Sequence, residues 1–190
     1  EEIYAAFEAK DLDRALELAP GFAPARYALV IVLHRRNDPE RALMEVERLL
    51  AADPRNPAYR NLCAVILSRV GEYARSSRMY RELLAEYPNN AKVWLSFGHV
   101  LKTAGHQDES IDAYQRSLAL DPAFGDAYWS LANLKTFRFT PADLEAMRRG
   151  LADPKVDDLN REHLHFAFGK ACEDAGEHAA SFEHYARGNA

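Results

Sequence analysis

Apolar residues recur along this chain at spacings of three and four, separated by polar positions. Val93, Trp94, Phe97, Val100 and Leu101 form one such stripe, and Ile111, Tyr114, Leu118 and Leu120 form the next. That period predicts amphipathic helices, each with one face turned to a core. Gly71, Gly105 and Gly176 stand where the first helix of a pair must stop, and Asn37 takes that place in an earlier pair. Both residue types tolerate the left-handed conformation that ends a helix. No strand pattern is evident, so the pattern predicts an all-α chain of antiparallel helix hairpins.

The hairpins repeat. Pro20, Pro54, Pro88 and Pro122 are each 34 residues apart, and each is placed to end a second helix. Leu12, Val46, Tyr80 and Tyr114 share that period, as do Leu29, Cys63, Phe97 and Leu131. Small residues in a third column (Ala64, Gly98, Ala132, Gly169) are expected to keep the contact between paired helices thin. One hairpin cannot bury its apolar face alone, so stability must come from stacking on neighbours.

The stretch Ala91 to Phe124 carries Trp94, Phe97-Gly98, Leu101, Gly105, Ser110, Tyr114 and Pro122 at fixed offsets. It resembles the tetratricopeptide repeat, a 34-residue helical hairpin. The resemblance covers nearly the whole chain, taken as one domain over 1–190. It divides into a partial unit 1–22, full units 23–56, 57–90 and 91–124, a divergent 125–161 and a truncated 162–190. The fold it implies is a right-handed α-solenoid, the tetratricopeptide superhelix. In the divergent unit, Thr140-Pro141-Ala142-Asp143 reads as a capping-box-like helix start. Residues 153–160 read as a polar loop, making a hairpin with a lengthened connection.

The runs Trp129 to Phe137, His163 to Ala171 followed by Glu173 to Gly176, and Ser181 to Ala190 resemble something narrower. They are similar to the repeat region of bacterial proteins that carry a sulfotransferase domain after the repeats. That likeness implies a chain excised from the N-terminal part of such a protein. The phosphate-cradling loop of that domain is absent from these residues, so no donor-binding or catalytic residue carries over.

Composition narrows the function. A net charge of −5 argues against a broad nucleic-acid or anionic-membrane footprint. No apolar run approaches the ~18 residues needed to span a bilayer, and the acidic Glu1-Glu2 start shows no secretory signal. Cys63 and Cys172 lie in apolar helical patterns without metal-ligand partners, and read as buried small hydrophobes in a reducing, cytoplasmic setting. His163 and His165 point apart on a helix, and His178 and His184 fall on different faces. No catalytic residue, metal ligand or cofactor is expected, and Gly169-Lys170 lacks the spacing of a phosphate loop.

A protein or peptide partner is expected instead, with no nucleic acid and no membrane. In the family the first helix of each hairpin lines a concave side, which would present Tyr27, Asn61, Leu95, Trp129 and Phe166 in one column. Ile31, Val65, His99, Asn133 and Lys170 form a second. His34, Arg35, Arg69, Lys102 and Phe137 lie towards helix ends, and Lys92 and Asp126 at helix starts. The N-terminal half is basic and the end near Asp126, Glu173 and Asp174 acidic. An extended ligand with an acidic end over Arg35 and Arg69 and an apolar anchor at Trp129 would fit. Tyr27, Leu95 and Trp129 could equally pack between hairpins. The Lys and Asn clamp of chaperone-tail binders is missing, since Tyr27 and Ile31 stand in its places. A recruiting region of a larger sulfotransferase, or self-association through exposed stack ends, are the alternatives.

Overall fold

The computed structural model describes residues 1–190, all of them in helices or short connections. Two compact units are formed, Glu1–Pro88 and Asn89–Ala190.

The first unit contains α1 (Glu2–Glu8), α2 (Leu12–Leu18), α3 (Ala23–Arg35), α4 (Pro39–Ala52), α5 (Pro57–Arg69) and α6 (Tyr73–Glu86). Side chains set the helix starts. Asp11, Asp38 and Asn56 cap α2, α4 and α5 by accepting from backbone N–H groups of the first turn. The stops are set by Asn37 (φ 58°) and Gly71 (φ 84°). Beyond them the N–H groups of Asp38 and Glu72 donate back to the Leu33 and Leu67 carbonyls, at 3.0 and 2.9 Å. The core is a buried cluster that includes Val30, Leu33, Val46, Leu49, Cys63, Ile66 and Leu67. Ser76, fully buried, donates its hydroxyl to the Ala64 carbonyl at 2.7 Å, so the small residue at 64 lets α6 close on α5. Arg26 and Arg60 occupy the register position held by Trp94 in the next unit. Their stems are covered, and their guanidiniums pair with Glu45 and, at 2.9 Å, with Glu86.

The first hairpin departs from the period. It turns at Lys10 (φ 61°), only ten residues before Pro20. Leu12 therefore sits at the first position of α2, whereas Val46 and Tyr80 sit mid-helix in α4 and α6. Leu12 shares the 34-residue spacing without sharing the packing role.

The second unit contains α7 (Ala91–Thr103), α8 (Gln107–Leu120), α9 (Gly125–Ala132), α10 (Pro141–Ala152), α11 (Asp158–Asp174) and α12 (His178–Gly188). Gly105 and Gly176 end α7 and α11 with positive φ. Gly98 faces the Tyr114 ring so closely that a Cβ would lie 2.5 Å from its edge, and a Cβ at Gly169 would lie 2.9 Å from Tyr185. The thin column read from the sequence is thus a requirement of α7 on α8 and of α11 on α12.

Around residues 125–161 the structure differs from the expected hairpin. Helix α9 stops at Ala132, so Thr136 and Phe137 lie beyond it. Lys135 adopts φ 57°, which turns the chain. Thr136 accepts from the Gln107 amide, and Phe137 and Phe139 meet edge to face at 5.2 Å while packing on the cluster of Leu95, Tyr114, Ala127, Leu131 and Leu134. The capping box at Thr140 and Asp143 opens α10 as expected. Only part of 153–160 is loop, because Asp157 caps α11 at Asp158 by accepting from Asn160 N at 2.9 Å. The main neighbour of α9 is α11 rather than α10. The two meet where Gly125 donates its N–H to Asn160 Oδ1 at 2.8 Å.

Candidate functional site

In the first unit, the first helices α3 and α5 place Tyr27 beside Tyr59, ring centroids 5.8 Å apart. Tyr27 is half-buried and packs on the core cluster. Asn61 is half-buried, and its Oδ1 is buried without a hydrogen-bond partner. The ends of α3 and α5 bring His34 near Arg69, where burial first and then the Arg69 charge hold the imidazole below its ordinary pKa. Arg35 and Arg69 are exposed and make no ion pair within the chain.

In the second unit, Leu95 is 6% exposed and belongs to the core cluster of Tyr114 and Leu131, so it offers no contact surface. His99 Nδ1 lies 3.0 Å from the Tyr114 hydroxyl. Burial lowers its pKa, Asp126 opposes that, and Lys102 adds to it. Asp126, at the start of α9, accepts at 3.4 Å from Ser130. Trp129 is half-buried and packs on Phe166 at 5.3 Å, and Phe166 continues to Tyr185 at 6.4 Å. Lys92, Lys102 and Asn133 are exposed, and Phe137 is half-buried in the turn after α9. The structure therefore brings His99 within electrostatic reach of Lys102 and Asp126, and Trp129 and Phe166 into one aromatic surface. Phe137 packs instead on the cluster of Leu95, Tyr114 and Leu131.

The acidic end is largely neutralised from within. Lys170 pairs with Asp174 and, at 3.8 Å, with Glu173, while Arg138 reaches Asp174 at 3.4 Å. Tyr185 donates its hydroxyl to Glu173 at 3.0 Å. Spacing along one helix hinted at the Lys170 pairs, but Arg138 comes from the turn before α10.

Another pair escaped the sequence reading. His165 on α11 and His184 on α12 stand with their Nδ1 atoms 3.0 Å apart, one donating and the other accepting, and His184 stacks on Phe168 at 4.4 Å. The two are 19 residues apart, so no helical spacing connects them. Both pKa values fall below the ordinary imidazole value, chiefly through burial; the His184 ring and then Arg187 add to it at His165, and Arg187 adds at His184 while Glu183 opposes. Cys63 and Cys172 are buried free thiols. No helix is long and apolar enough to cross a membrane.

Tetratricopeptide-repeat profiles match residues 6–66 and 91–124, together half of the chain. Cell division cycle protein 27 homolog A of Arabidopsis thaliana is 28% identical over 97 residues, which is 51% of this chain and 14% of that protein. The chain therefore spans only a small part of that relative. Among solved structures, MamA residues 41 to the end from Desulfovibrio magneticus RS-1 superposes with TM-score 0.61 at 20% identity, covering 87% of this chain and 92% of that one. PilF of Pseudomonas aeruginosa gives TM-score 0.65 at 18% identity, covering 87% of this chain and 75% of that one. A thermophilic TPR protein of Thermus thermophilus gives 0.60 at 14% identity, covering 86% of this chain and 88% of that one. At these identities the likeness to solved structures shows a shared helical-hairpin solenoid fold.

Proposed function

Since the chain belongs to the tetratricopeptide-repeat family, we propose that it is an interaction scaffold that holds an extended peptide or a partner's loop along its first helices. The observation that carries this reading is charge left unanswered. Arg35, Arg69, Lys92 and Lys102 are exposed on first helices without an ion pair, whereas Glu173 and Asp174 are met by Lys170 and Arg138. A ligand with an acidic segment gains from those cations, and unpaired charge at an interface steers association and selects partners. The edge of the Trp129–Phe166 surface suits an apolar anchor. The proposed contact residues are Tyr27, His34, Arg35, Asn61, Arg69, Lys92, His99, Lys102, Asp126, Trp129 and Asn133. Leu95 is left out because it is core, and Phe137 because it lies beyond α9 and packs on the Leu95 cluster.

A peptide library offered to wild type and to an Arg69→Glu, Trp129→Ala double variant tests it. Acidic peptides with one apolar residue should be enriched by wild type and bind the variant at least ~10-fold more weakly. Arg69→Glu alone, an exposed change, serves as the variant whose fold is not at issue. Equal binding by all three proteins would sink the reading. In the cell the same reading places the scaffold in the cytoplasm, where two free thiols persist.

The recruiting region of a larger sulfotransferase is a second reading, supported by the motifs at 129–137 and 163–176. The residues following Ala190 in the parent gene test it, since a strand and a Gly-rich phosphate-cradling turn must follow.

A further inference from the structure

Register exposes an unfilled place in the first unit. Leu12–Leu18 of α2 align, 34 residues on, with Val46–Ala52 of α4. Nothing in the first hairpin stands in the places of 39–45. Two helical turns, ~10 Å of helix, are therefore missing from the wall beside α3. The effect appears in burial. Ala28, Leu29 and Val32 are partly exposed, while their register partners Leu62, Cys63 and Ile66 on α5 are 9%, 1% and 0% exposed. In place of the missing turns lies a cleft of about 620 Å³, walled by Phe7, Leu12, Leu29 and Val32. Glu8, Lys10, Asp11 and Asp13 of the α1–α2 hairpin and Arg36 after α3 also line it, so the hairpin side is net acidic and the α3 side basic.

The same chain carries a helix face of matching length and chemistry. On α12, Ala179, Phe182 and Ala186 recur at spacings of three and four on the exposed side. Phe182, 74% exposed, is the most exposed of the large apolar side chains. Arg187 and Glu183 flank that stripe and hold each other only loosely, at 3.9 Å. Arg187 would answer Glu8 and Asp13, and Glu183 would answer Arg36.

We propose that a second copy of this chain seats the Ala179–Phe182–Ala186 stripe of its α12 in the cleft between the α1–α2 hairpin and α3. The docked helix supplies the two turns that α2 lacks, and Phe182 fills the gap over Leu29 and Val32. Cleft and stripe are different patches, so the contact is head-to-tail. Each added copy presents a new free cleft or a new free stripe. The inference deepens the self-association reading and is independent of peptide binding, because no residue proposed to hold the peptide takes part.

Sedimentation velocity over a concentration series, about 10 to 500 µM, tests it. Wild type should sediment faster as concentration rises. Phe182→Glu and Val32→Glu should each remain monomeric over the same range. Phe182 is exposed and Val32 lies outside the buried core cluster, so both variants should fold, which circular dichroism checks. Mixing the two variants supplies the decisive arm. One retains an intact cleft and the other an intact stripe, so the mixture should stop at a 1:1 dimer. A monomeric wild type, variants that associate like wild type, or a mixture that stays monomeric or polymerises would each overturn the proposal. A foreign helix bound by a wild type that stays monomeric would do the same.

Discussion

Gly125 opens α9 against the start of α11, and replacing it with alanine tests how the second unit is held together. A Cβ there would lie 2.2 Å from the Asn160 carbonyl oxygen, 2.9 Å from that carbonyl carbon and 2.9 Å from His163 Cβ. Carbon and oxygen rest in contact at about 3.3 Å, so the first turn of α11 must withdraw by ~1 Å. The obstacle is backbone, and no rotamer change relieves it. Overpacking of this kind costs ~1–3 kcal/mol. Withdrawal also stretches the Gly125 N–H bond to Asn160 Oδ1, worth ~1 kcal/mol. Alanine recovers ~0.5–1 kcal/mol by restricting the unfolded chain. The expected net loss is ~1–3.5 kcal/mol. Stacked hairpins unfold in parts, so a local probe is needed. Trp129 fluorescence during urea unfolding, in a Trp94→Phe background, reports on the α9–α11 contact. Gly21→Ala, with nothing within 4 Å of the added carbon, is the control and should move stability by less than ~0.5 kcal/mol. If Gly125→Ala matched the control, the close packing of α9 on α11 would be refuted.

Two further outcomes follow from titrating groups. His165 and His184 are both held below the ordinary value of 6.5, so the unfolded chain binds protons that the folded one refuses. Stability is full above about pH 6.5 and falls as pH drops through the depressed folded values. His34 and His99 shift in the same direction, so the contribution of the pair is isolated with His184→Gln. That variant should show a shallower loss of thermal midpoint between pH 6.5 and about 5, and an unchanged slope would remove the pair from the account. Burial, with Glu47 adding, pushes the Cys63 thiol up to about 11, and burial also raises Cys172. Neither should react with a thiol-labelling disulfide at about pH 8 until urea unfolds the chain. Rapid native labelling of either would show that its helix opens.

Much of the fold was legible because its determinants are local. A residue that must adopt positive φ is a property of one position, so Asn37, Gly71, Gly105 and Gly176 marked the turns. The Thr140 and Asp143 capping box was legible for the same reason, since its two hydrogen bonds span three residues. The small column at Gly98 and Gly169 was visible as a spacing, and the structure supplies the cause in the rings of Tyr114 and Tyr185. Leu12 misled because spacing from proline to proline survives even when the hairpin between them is shortened. The turn at Lys135 carried no local signal, because lysine has no preference for the left-handed region. What fixes that turn is Phe137 and Phe139 packing on a cluster contributed by α7, α8 and α9.

The candidate site was legible only as an inventory. The sequence by itself determined which helices exist, where most of them end and which side of each is apolar, because backbone geometry and the 3.6-residue period act over a few neighbours. Tertiary structure decided which faces meet. It buried Leu95, set Trp129 on Phe166, answered Asp174 with Arg138, and joined His165 to His184. It also left α3 uncovered beside a shortened α2. Each of these depends on the distance between groups remote in the chain, and that distance is set by how helices close-pack, which no local period encodes.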